Sequence, residues 1–388
     1  MQFTVQAKAS FFQLNAAKMS DKYLLEAEII TPVHIGAGQE RKLIRNLDFI
    51  FMDKKLIIFD TAKIFKALNE TDRARFINNL AGGSLKDITL YMRSAGTTSI
   101  DDYKIAEINC PGSHPMDEVL PLISAAGKSG RAVYIPGSSI KGALRSVLFA
   151  YLYGKGKGVS DNEIFGRIDK NLMSFIQVGD AHFKTSRIIN AKIYNLHRES
   201  GEWTSGWKHD FRSTDRDFST SGFVTSYEVF GIKSKAAFTL KINKEKIAYI
   251  RSKEGELPQN CNILETMNIN DLFGIINWHT ERYLKAERDF FRLYDNQEPY
   301  CEAIITKIDE LLNLIPHNNN KCLMHIGCGS GFHAITGDWQ FAGKHSETGI
   351  HENGKIRFKS RKMAFRKLMG HSGFEFLPMG FIMLHSVK

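Results

Sequence analysis

The chain has 388 residues, of which 43% are hydrophobic and 24% charged, a balance that is typical of a folded globular protein and not of a disordered or fibrous chain. No segment offers the roughly 20 apolar residues of a membrane span, and the first 22 residues lack the continuous apolar stretch of a signal peptide. The formal charge of +10 favours a polyanionic partner, and 27 phenylalanines and 12 tyrosines supply rings that can stack on bases.

Cysteine and histidine usage indicates neither disulfides nor a metal centre. The five cysteines, at positions 110, 261, 301, 322 and 328, form no CxxC pair, and an odd, scattered set is typical of reduced thiols. The thirteen histidines are dispersed, without an HExxH motif or a cluster. We therefore expect a cytoplasmic protein with no metal site and no cofactor.

The first predicted element is a strand over residues 22–30, because Leu25, Ala27 and Ile29 alternate with Glu26 and Glu28. It ends at Thr31-Pro32, and a glycine loop with His34, Gly36 and Gly38 follows directly. A strand pair from Phe49 to Phe59 and a helix from Thr61 to about Leu80 come next. Residues 81–131 are punctuated by glycine and serine, and we interpret them as an insertion.

The run from Tyr134 to Arg145, YIPGSSIKGALR, predicts a strand end, a tight turn and the start of a helix. Pro136 fixes φ, Gly137 lets the backbone bend and come close to a ligand, and Ser138 or Ser139 can cap the helix. The free N–H groups of the first turn would then face an anion. Lys141 and Arg145 fall together on the flank of the apolar stripe, so this turn is predicted to hold phosphate. An ordinary strand-to-helix turn is the alternative.

Residues 174–183 and 236–242 are strand-like, and the polar, glycine-rich stretch 196–222 between them is interpreted as a second insertion. This region carries aromatic residues among cations: Trp203, Trp207, Phe211 and Phe223 beside Arg198, Lys208 and Arg212. Two interpretations remain open, a finger that wedges between bases and a surface loop whose rings fold back on the protein.

One long helix is predicted over residues 271–294. Its apolar stripe consists of Leu272, Ile275, Ile276, Tyr283, Ala286 and Phe290. Glu281 and Lys285 have the favourable four-residue spacing. With a strand near Cys322 to Ile326, the elements follow the order strand, helix, strand, strand, helix, strand of a ferredoxin-like, RRM-type α+β fold with large insertions.

The segment LMHIGCGSG, residues 323–331, has two competing interpretations. It is similar to the S-adenosylmethionine-binding loop of methyltransferases, where a strand runs into Gly-x-Gly-x-Gly. Against that reading, His325 stands where an acidic residue is usual, and only 57 residues follow Gly331, too few for the remaining units of a doubly wound fold. The second interpretation is a loop whose small residues Gly327, Gly329 and Gly331 let an RNA backbone approach. A plain turn is the third.

A basic strand is predicted near the C-terminus. The cations Lys355, Arg357, Lys359 and Arg361 alternate with other residues, so a strand would present all four on one face at about 6.6 Å intervals. This spacing is close to that of phosphates along an extended RNA strand. A solvated strand face is the alternative. The following residues, Met363 to Met369, are also compatible with a helix surface.

The strings YIPGSSIKGALR and TPVHIGAG, at 31–38, resemble the signature of the RAMP superfamily of CRISPR RNA-binding proteins. Together with the late glycine-rich segment and the chain length, they resemble the fifth-subunit family of the type III-A (Csm) effector complex. The resemblance rests on roughly a tenth of the chain. It implies the same ferredoxin-like fold. We divide the chain into an N-terminal lobe over residues 20–245 and a C-terminal lobe over residues 246–388, which either forms a second such domain or completes the first.

The resemblance also implies a function: a non-catalytic subunit that holds the 3′ part of the CRISPR RNA (crRNA) and caps the backbone filament. Its partners would be crRNA, the repeating backbone subunit, other Csm subunits and, indirectly, target RNA, and it would serve crRNA maturation and antiviral defence. The predicted RNA-binding residues are His34, Gly36, Gly38, Gly137, Ser138, Ser139, Lys141, Arg145, Gly327, Gly329, Gly331, Arg357, Lys359 and Arg361. No catalytic residue is predicted, although Glu40 and Asp48 are carboxylates near the first strand. The alternatives are an endoribonuclease that processes precursor crRNA, with His34 as general base, and the methyltransferase.

Overall fold

The computed structural model describes residues 21–38, 41–83, 87–96, 99–111, 116–127, 130–158, 160–199, 202–209, 216–293, 300–328, 361–368 and 373–387. The strands of these residues are β1 (Asp21–Ile29), β2 (Leu43–Ile44), β3 (Phe49–Met52), β4 (Lys55–Phe59), β5 (Lys104–Asn109), β6 (Glu118–Leu120), β7 (Ser124–Gly127), β8 (Gly130–Ile135), β9 (Ile176–Val178), β10 (Ala181–Phe183), β11 (Ser186–Glu199), β12 (Glu202–Trp207), β13 (Val224–Phe230), β14 (Lys235–Ile242), β15 (Lys321–His325), β16 (Arg361–Lys367), β17 (Phe374–Pro378) and β18 (Phe381–Ser386).

The helices are α1 (Thr61–Ala67), α2 (Glu70–Ala81), α3 (Ile88–Ser94), α4 (Gly137–Gly154), α5 (Asp161–Phe165), α6 (Lys244–Ser252), α7 (Asn262–Thr266), α8 (Ile269–Leu293) and α9 (Cys301–Asn313). Short 3-10 turns cover Ile100–Asp102, Ile168–Lys170 and Leu172–Phe175. None of these helices is long and apolar enough to span a membrane.

A five-stranded antiparallel sheet in the order β15-β18-β1-β14-β9 forms the centre of the fold. The alternation predicted for β1 is confirmed, because Leu25, Ala27 and Ile29 are fully buried. Helices α4 and α8 bury their apolar stripes in the same core, which excludes water from this face of the sheet.

The outer edge of β15 is closed by side chains of α8. Asn277 Nδ2 donates to the carbonyl of Lys321 (3.0 Å), and its Oδ1 accepts from the N–H of Leu323 (3.0 Å). The hydroxyl of Thr280 donates to the carbonyl of Leu323 (2.6 Å). The main-chain groups that an edge strand usually leaves open therefore have partners here.

The helix predicted from Thr61 to Leu80 is two helices. Asp60 caps α1 by accepting from the N–H of Lys63, and Asn69 caps α2 by accepting from the N–H of Asp72. The apolar spacing continues across the break, but Asn69 has an extended backbone, so the chain turns there. The prediction of one continuous helix was wrong because this cap was overlooked.

The long helix predicted over residues 271–294 is confirmed as α8, with Lys285 Nζ 2.6 Å from a carboxylate oxygen of Glu281. One position of its stripe was wrong, since Ala286 is exposed and Glu287 is buried instead. The stretch from Met363, for which a helix surface was one interpretation, is strand β16, paired with β11 and β17.

A second sheet of ten strands is built around β11, a strand of 14 residues that pairs with β12, β13 and β16 and touches β5. The predicted insertion 81–131 supplies α3 and strands β5 to β8, and β8 leads directly into α4. Strands β7, β8 and β10 form a third, small sheet.

Trp207 does not belong to an exposed finger. Its side chain is fully buried, and its ring centroid lies 5.1 Å from that of Tyr194 and 5.0 Å from that of Phe376. Phe223 is exposed, with Lys208 Nζ 4.5 Å from the centre of its ring. Phe211, Arg212 and the side chains of Arg198 and Trp203 lie outside the described part. For Trp207, the interpretation of rings that fold back on the protein is the correct one.

The domain boundary predicted at residues 245/246 stays a prediction. Strands β15 and β18, which follow it, hydrogen-bond into the same sheet as β1 and β14, which precede it. Helix α8 packs in the same hydrophobic core as α4.

Candidate nucleic-acid interface

Three segments that the sequence analysis singled out meet at one open groove with a volume of about 340 Å³. One wall is the loop after β1, a second is the first half of α4, and a third is the end of β15 with the residues after it. The lining residues are His34, Ile35, Gly36, Ser139, Gly142, Ala143, Ser146, His325, Ile326, Gly327 and Cys328. The fold therefore brings together residues that are up to 294 positions apart in the chain.

The two glycine loops are in direct contact. The N–H of Cys328 donates to the carbonyl of His34 (2.9 Å), and Gly327 has φ +85°. A Cβ atom at Gly327 would lie 2.7 Å from that same carbonyl oxygen. Gly327 is therefore required here by a left-handed backbone and by the close approach of the His34 loop. Gly38 also has a positive φ, +103°, but a Cβ there would meet no atom within 4 Å.

His34 is buried behind the groove. Its Nδ1 lies 2.7 Å from the carbonyl oxygen of Glu228, so this nitrogen carries the proton and donates. The ring packs edge-on against Tyr227, with 5.0 Å between centroids. Burial lowers the pKa of His34, and the hydrogen bond to Glu228 opposes that shift only in part. His34 is therefore a neutral residue that shapes the loop.

An ion pair missed by the sequence analysis supports this wall. The Glu228 carboxylate is fully buried and accepts two hydrogen bonds from the Arg131 guanidinium, at 2.5 and 2.6 Å. It also accepts from the N–H of Leu122 (2.8 Å) and from the hydroxyl of Ser186 (2.7 Å). These bonds compensate the desolvation of the carboxylate. Arg131 and Glu228 are 97 positions apart, so no local pattern indicates the pair.

The start of α4 differs from its prediction. The N-cap is Pro136, and neither Ser138 nor Ser139 caps the helix. Instead, Oδ1 of Asp180 accepts from the N–H of Gly137 (2.7 Å). A Cβ at Gly137 would collide with the carbonyl of Val178, so this glycine permits close packing of helix on strand. The first N–H of the helix is therefore occupied by a carboxylate of the protein itself.

The predicted residues of α4 lie on two flanks of the helix. Ser139, Gly142, Ala143 and Ser146 follow helical spacing and face the groove. Successive residues of a helix are rotated by about 100° around its axis, so Lys141 and Arg145 lie roughly 130° around the axis from this group. Ser138 and Gly142 lie between the flanks and are exposed. The surface between the cations and the groove thus carries only small side chains.

Lys141 is a half-buried cation beside another cation. Its pKa is lowered, first by burial and then by the charge of Lys246 on α6. In the part of the chain that the structure describes, no carboxylate lies within salt-bridge distance of Lys141. An anion bound here would relieve the repulsion between the two ammonium groups.

Arg145 is already paired. Its guanidinium lies 2.5 Å from the Asp161 carboxylate and stacks 4.7 Å from the centre of the Phe165 ring. Both members of the ion pair are well exposed, so the pair can exchange partners at modest free-energy cost.

Arg361 does not fit the predicted basic strand face. Its guanidinium is almost completely buried, donates to both carboxylate oxygens of Glu287 (2.7 and 2.9 Å) and lies 3.3 Å from the centre of the Phe290 ring. Arg361 is therefore part of the core, and its prediction as an RNA contact is corrected. Arg357 and Lys359, with Gly329 and Gly331, lie outside the described residues.

The topology argues against a methyltransferase loop after β15. In a doubly wound nucleotide fold, the strand that enters the glycine loop is a parallel strand inside the sheet. Here β15 is an edge strand that pairs antiparallel with β18. His325, at its end, is buried and donates from Nε2 to the carbonyl of Met379 (2.9 Å).

The chain is similar to known CRISPR proteins. Csm5 of Methanocaldococcus jannaschii is 24% identical over 337 residues, which cover 79% of this chain and 71% of that protein. Csm5 of Streptococcus thermophilus is 30% identical over 191 residues, which cover 44% of this chain and 51% of that protein.

The fold is shared with solved structures. A chain in a cryo-EM structure of a Csm-crRNA-target RNA ternary complex of a type III-A CRISPR-Cas system superposes with a TM-score of 0.63 at 13% identity, covering 95% of this chain and 100% of that chain. The crystal structure of Csm5 from T. onnurineus gives a TM-score of 0.56 at 13% identity, with 92% and 99% covered.

The sequence resemblance is also confirmed at the family level. The model of the RAMP superfamily matches residues 26–332, which is most of the chain. This protein therefore belongs to the RAMP superfamily.

Proposed function

We propose that this protein is a non-catalytic subunit of a type III-A Csm complex that binds the 3′ part of the crRNA and caps the backbone filament. The observation that carries the proposal is the convergence of three signature segments at one groove beside α4. The similarity to two Csm5 proteins supports the choice of complex. The partners would be crRNA, the repeating backbone subunit and, indirectly, target RNA.

The surface of α4 suits a single strand of RNA. Ser138, Ser139, Gly142, Ala143 and Ser146 leave the helix without large side chains over its exposed half. An RNA strand that crosses α4 here can place one phosphate on Lys141 and Arg145 and the next nucleotide in the groove. The helix is about 10 Å wide and an extended RNA strand advances by about 6–7 Å per nucleotide, so neighbouring nucleotides can reach the two flanks. His34, Gly36 and Gly327 would act by shaping the far wall.

The arrangement favours binding over catalysis. A general base must reach its substrate, but the His34 side chain is buried and its ring packs against Tyr227. Asp48 accepts from the N–H of Ile44 (2.8 Å) in the turn before β3, which is a structural role. Glu40 lies outside the described residues. These features support the absence of a catalytic role for this groove.

The proposed capping role follows from the geometry of filaments. Backbone subunits that repeat along an RNA join head to tail, and such contacts continue until a subunit lacks one of the two faces. The additions at 81–131 and 196–222 supply elements of the second sheet, and we propose that they block the next position.

We further propose that β1, α4, β9, β14, α8 and β18 form the ferredoxin-like core. These elements follow the order strand, helix, strand, strand, helix, strand, and the strands lie in the sheet order β9-β14-β1-β18. In this assignment one core uses elements from both predicted lobes, with β15 as an added edge strand.

RNA binding is tested by fluorescence anisotropy with a labelled single-stranded RNA at several salt concentrations. We expect log affinity to fall linearly with log salt, with a slope of about −0.7 for each phosphate contacted. A flat salt response would exclude an electrostatic RNA site.

Gly142→Gln tests the groove itself. A Cβ at Gly142 meets no atom within 4 Å, so the added side chain fills the groove without disturbing the fold. We expect RNA affinity to drop without any loss of melting temperature, because glutamine is a better helix former than glycine. Gly154→Gln on the same helix, where a Cβ meets only the Trp278 ring at 4.0 Å, is the matched control and should bind normally. Equal affinities of the two variants would contradict the site.

Native mass spectrometry tests the cap. Complexes assembled without this protein should carry a variable number of backbone subunits and ragged 3′ RNA ends. A single stoichiometry and one RNA length in its absence would refute the capping role while leaving RNA binding intact.

A further inference from the structure

An outward-facing pair of rings lies on the two strands next to the start of α4. Tyr134 on β8 and His182 on β10 are directly opposite each other in the antiparallel pairing. Their ring centroids are 5.3 Å apart, with 31° between the ring planes. The neighbours Val133, Ile135 and Phe183 are buried. Because side chains alternate across a strand, the two rings project from the opposite face, away from the core.

The position of this ring pair is fixed by the same segments that hold the start of α4. Tyr134 is two residues before Pro136, the N-cap of α4, and His182 is two residues after Asp180, whose carboxylate holds the N–H of Gly137. The two strands and the helix are therefore joined by a hydrogen bond at the point where the small-residue surface of α4 begins.

A lysine follows each of the two rings in the chain, Lys184 after His182 and Lys141 after Tyr134. Lys184 follows His182 by two residues and is exposed, and Lys141 and Lys246 form the cationic flank of α4 and α6. Among the described residues, no carboxylate lies within salt-bridge distance of Lys184 or Lys141. The Asp180 carboxylate is engaged by the helix. Tyr134 is half-buried and His182 is exposed. Accessible rings beside cations that lack a carboxylate partner are the chemistry that binds single-stranded nucleic acid.

We propose that Tyr134 and His182 form a stacking platform for one unpaired nucleobase of the RNA. This inference rests on the proposed function and adds a base contact to a site otherwise made of backbone and phosphate contacts. The ring of Tyr134 binds the base by its face, so the contact tolerates different bases. Lys184 binds a phosphate next to the stacked nucleotide. The hydroxyl of Tyr134 has no role in the contact.

The test uses a short single-stranded RNA in which 2-aminopurine replaces one base, moved position by position through the oligonucleotide. Wild-type protein should quench the fluorescence of the probe at one position, because stacking on an aromatic ring quenches this base. The measurement uses the native chain and does not depend on the folding of a variant. Uniform fluorescence at every position would overturn the platform.

Variants then assign the contact. Tyr134→Ala should weaken RNA binding by between about 5-fold and about 100-fold and abolish the quenching, whereas Tyr134→Phe should keep both. His182→Ala should lower affinity to a smaller extent. Tyr249→Ala on α6, whose tyrosine is 65% exposed, is the matched control and should bind as wild type.

Salt dependence separates the base contact from the phosphate contacts. Tyr134→Ala should leave the salt slope unchanged, while Lys184→Ala should reduce its magnitude by about 0.7. If wild-type protein binds RNA and Tyr134→Ala binds equally well, the platform fails and the proposed function stands. If wild-type protein binds no RNA, both fail.

Discussion

Lys141 and Arg361 show how the same sequence signal leads to opposite roles. Lys141 lies in a signature segment and Arg361 ends the predicted basic strand, and both were predicted to contact RNA. Lys141 is half-buried on the flank of α4 beside Lys246 and lacks a carboxylate partner in the described part of the chain. Arg361 is buried against Glu287 and Phe290. A cation without a carboxylate partner is available to an external anion, whereas a buried cation that is paired with a carboxylate belongs to the protein core.

The difference arises from residues far away in the chain. Glu287 lies 74 positions before Arg361, on the inward face of α8, where the apolar spacing had suggested Ala286. Nothing within several residues of Lys141 or Arg361 tells them apart. The charge of a residue can be taken from the sequence, but its partner is set by the tertiary fold.

The largest expected effect comes from breaking the buried pair. Arg361→Ala leaves the Glu287 carboxylate buried and unpaired, so the free energy of unfolding should fall by about 3–5 kcal/mol. Arg366→Ala on the same strand removes an ion pair with Glu375 in which the arginine is half exposed. This variant should change the free energy of unfolding by less than about 1 kcal/mol. Urea denaturation of both variants checks this. Similar losses of unfolding free energy in the two variants would contradict the distinction between core and surface cations.

Acid should destabilise the core on the α8 side. Burial lowers the pKa of His279 to about 4 and that of His325 to about 3, from an ordinary value of 6.5. Below pH 6.5 the unfolded chain takes up protons that the folded chain excludes. The free energy of unfolding should therefore fall from pH 6.5 towards pH 4 by about 1.4 kcal/mol per pH unit for each histidine.

The measurement is urea denaturation at pH 7, 6, 5 and 4.5. In His279→Gln the slope should be smaller by about one proton, or about 1.4 kcal/mol per pH unit. A flat profile for the wild-type protein would show that these histidines are protonated in the fold.

The exposed cations should affect binding and not folding. Lys141→Ala should weaken RNA binding and reduce the magnitude of the salt slope by about 0.7, at an unchanged melting temperature. Arg145→Ala should weaken binding as well, with a loss of at most about 1 kcal/mol of stability from the exposed pair with Asp161. A collapse of the melting temperature in Lys141→Ala would place that residue with Arg361 as a structural cation.

The smallest effect concerns the glycine between the flanks. Gly142→Ala should stabilise the protein by about 0.5–1 kcal/mol, because alanine is a better helix former and its Cβ meets no atom. Gly137→Ala should destabilise it, because of the carbonyl of Val178. Calorimetric melting of both variants checks the signs. If Gly142→Ala also lowers RNA affinity, the RNA strand passes so close to α4 that an added methyl group does not fit between them.

The parts that were predictable from sequence are those fixed by local periodicity. Leu25, Ala27 and Ile29 mark β1, and the stripe from Leu272 to Phe290 marks α8, because spacing alone separates their faces. The three segments of the groove were found through their glycines and the Pro136 turn. Their convergence on one site follows from the sheet order and could not be derived from spacing.

What could not be predicted depends on contacts distant in sequence. Asp180 takes the place of the serines as the partner of the first N–H of α4, from 43 positions away. Trp207 is buried because Phe218, in the loop before β13, and Phe376, on β17, pack against it. The Arg131–Glu228 pair supports the loop of His34 from outside every motif. In each case the residue type is visible in the sequence and its neighbour is not.

The closed edge of β15 affects how this protein can contact other chains. An open edge strand can add a strand from another chain, which is the first step of many aggregation processes. Asn277 and Thr280 occupy the main-chain groups of Lys321 and Leu323 that such a strand would use. This edge therefore gives an incoming chain no template. A partner that contacts this edge must therefore do so through side chains.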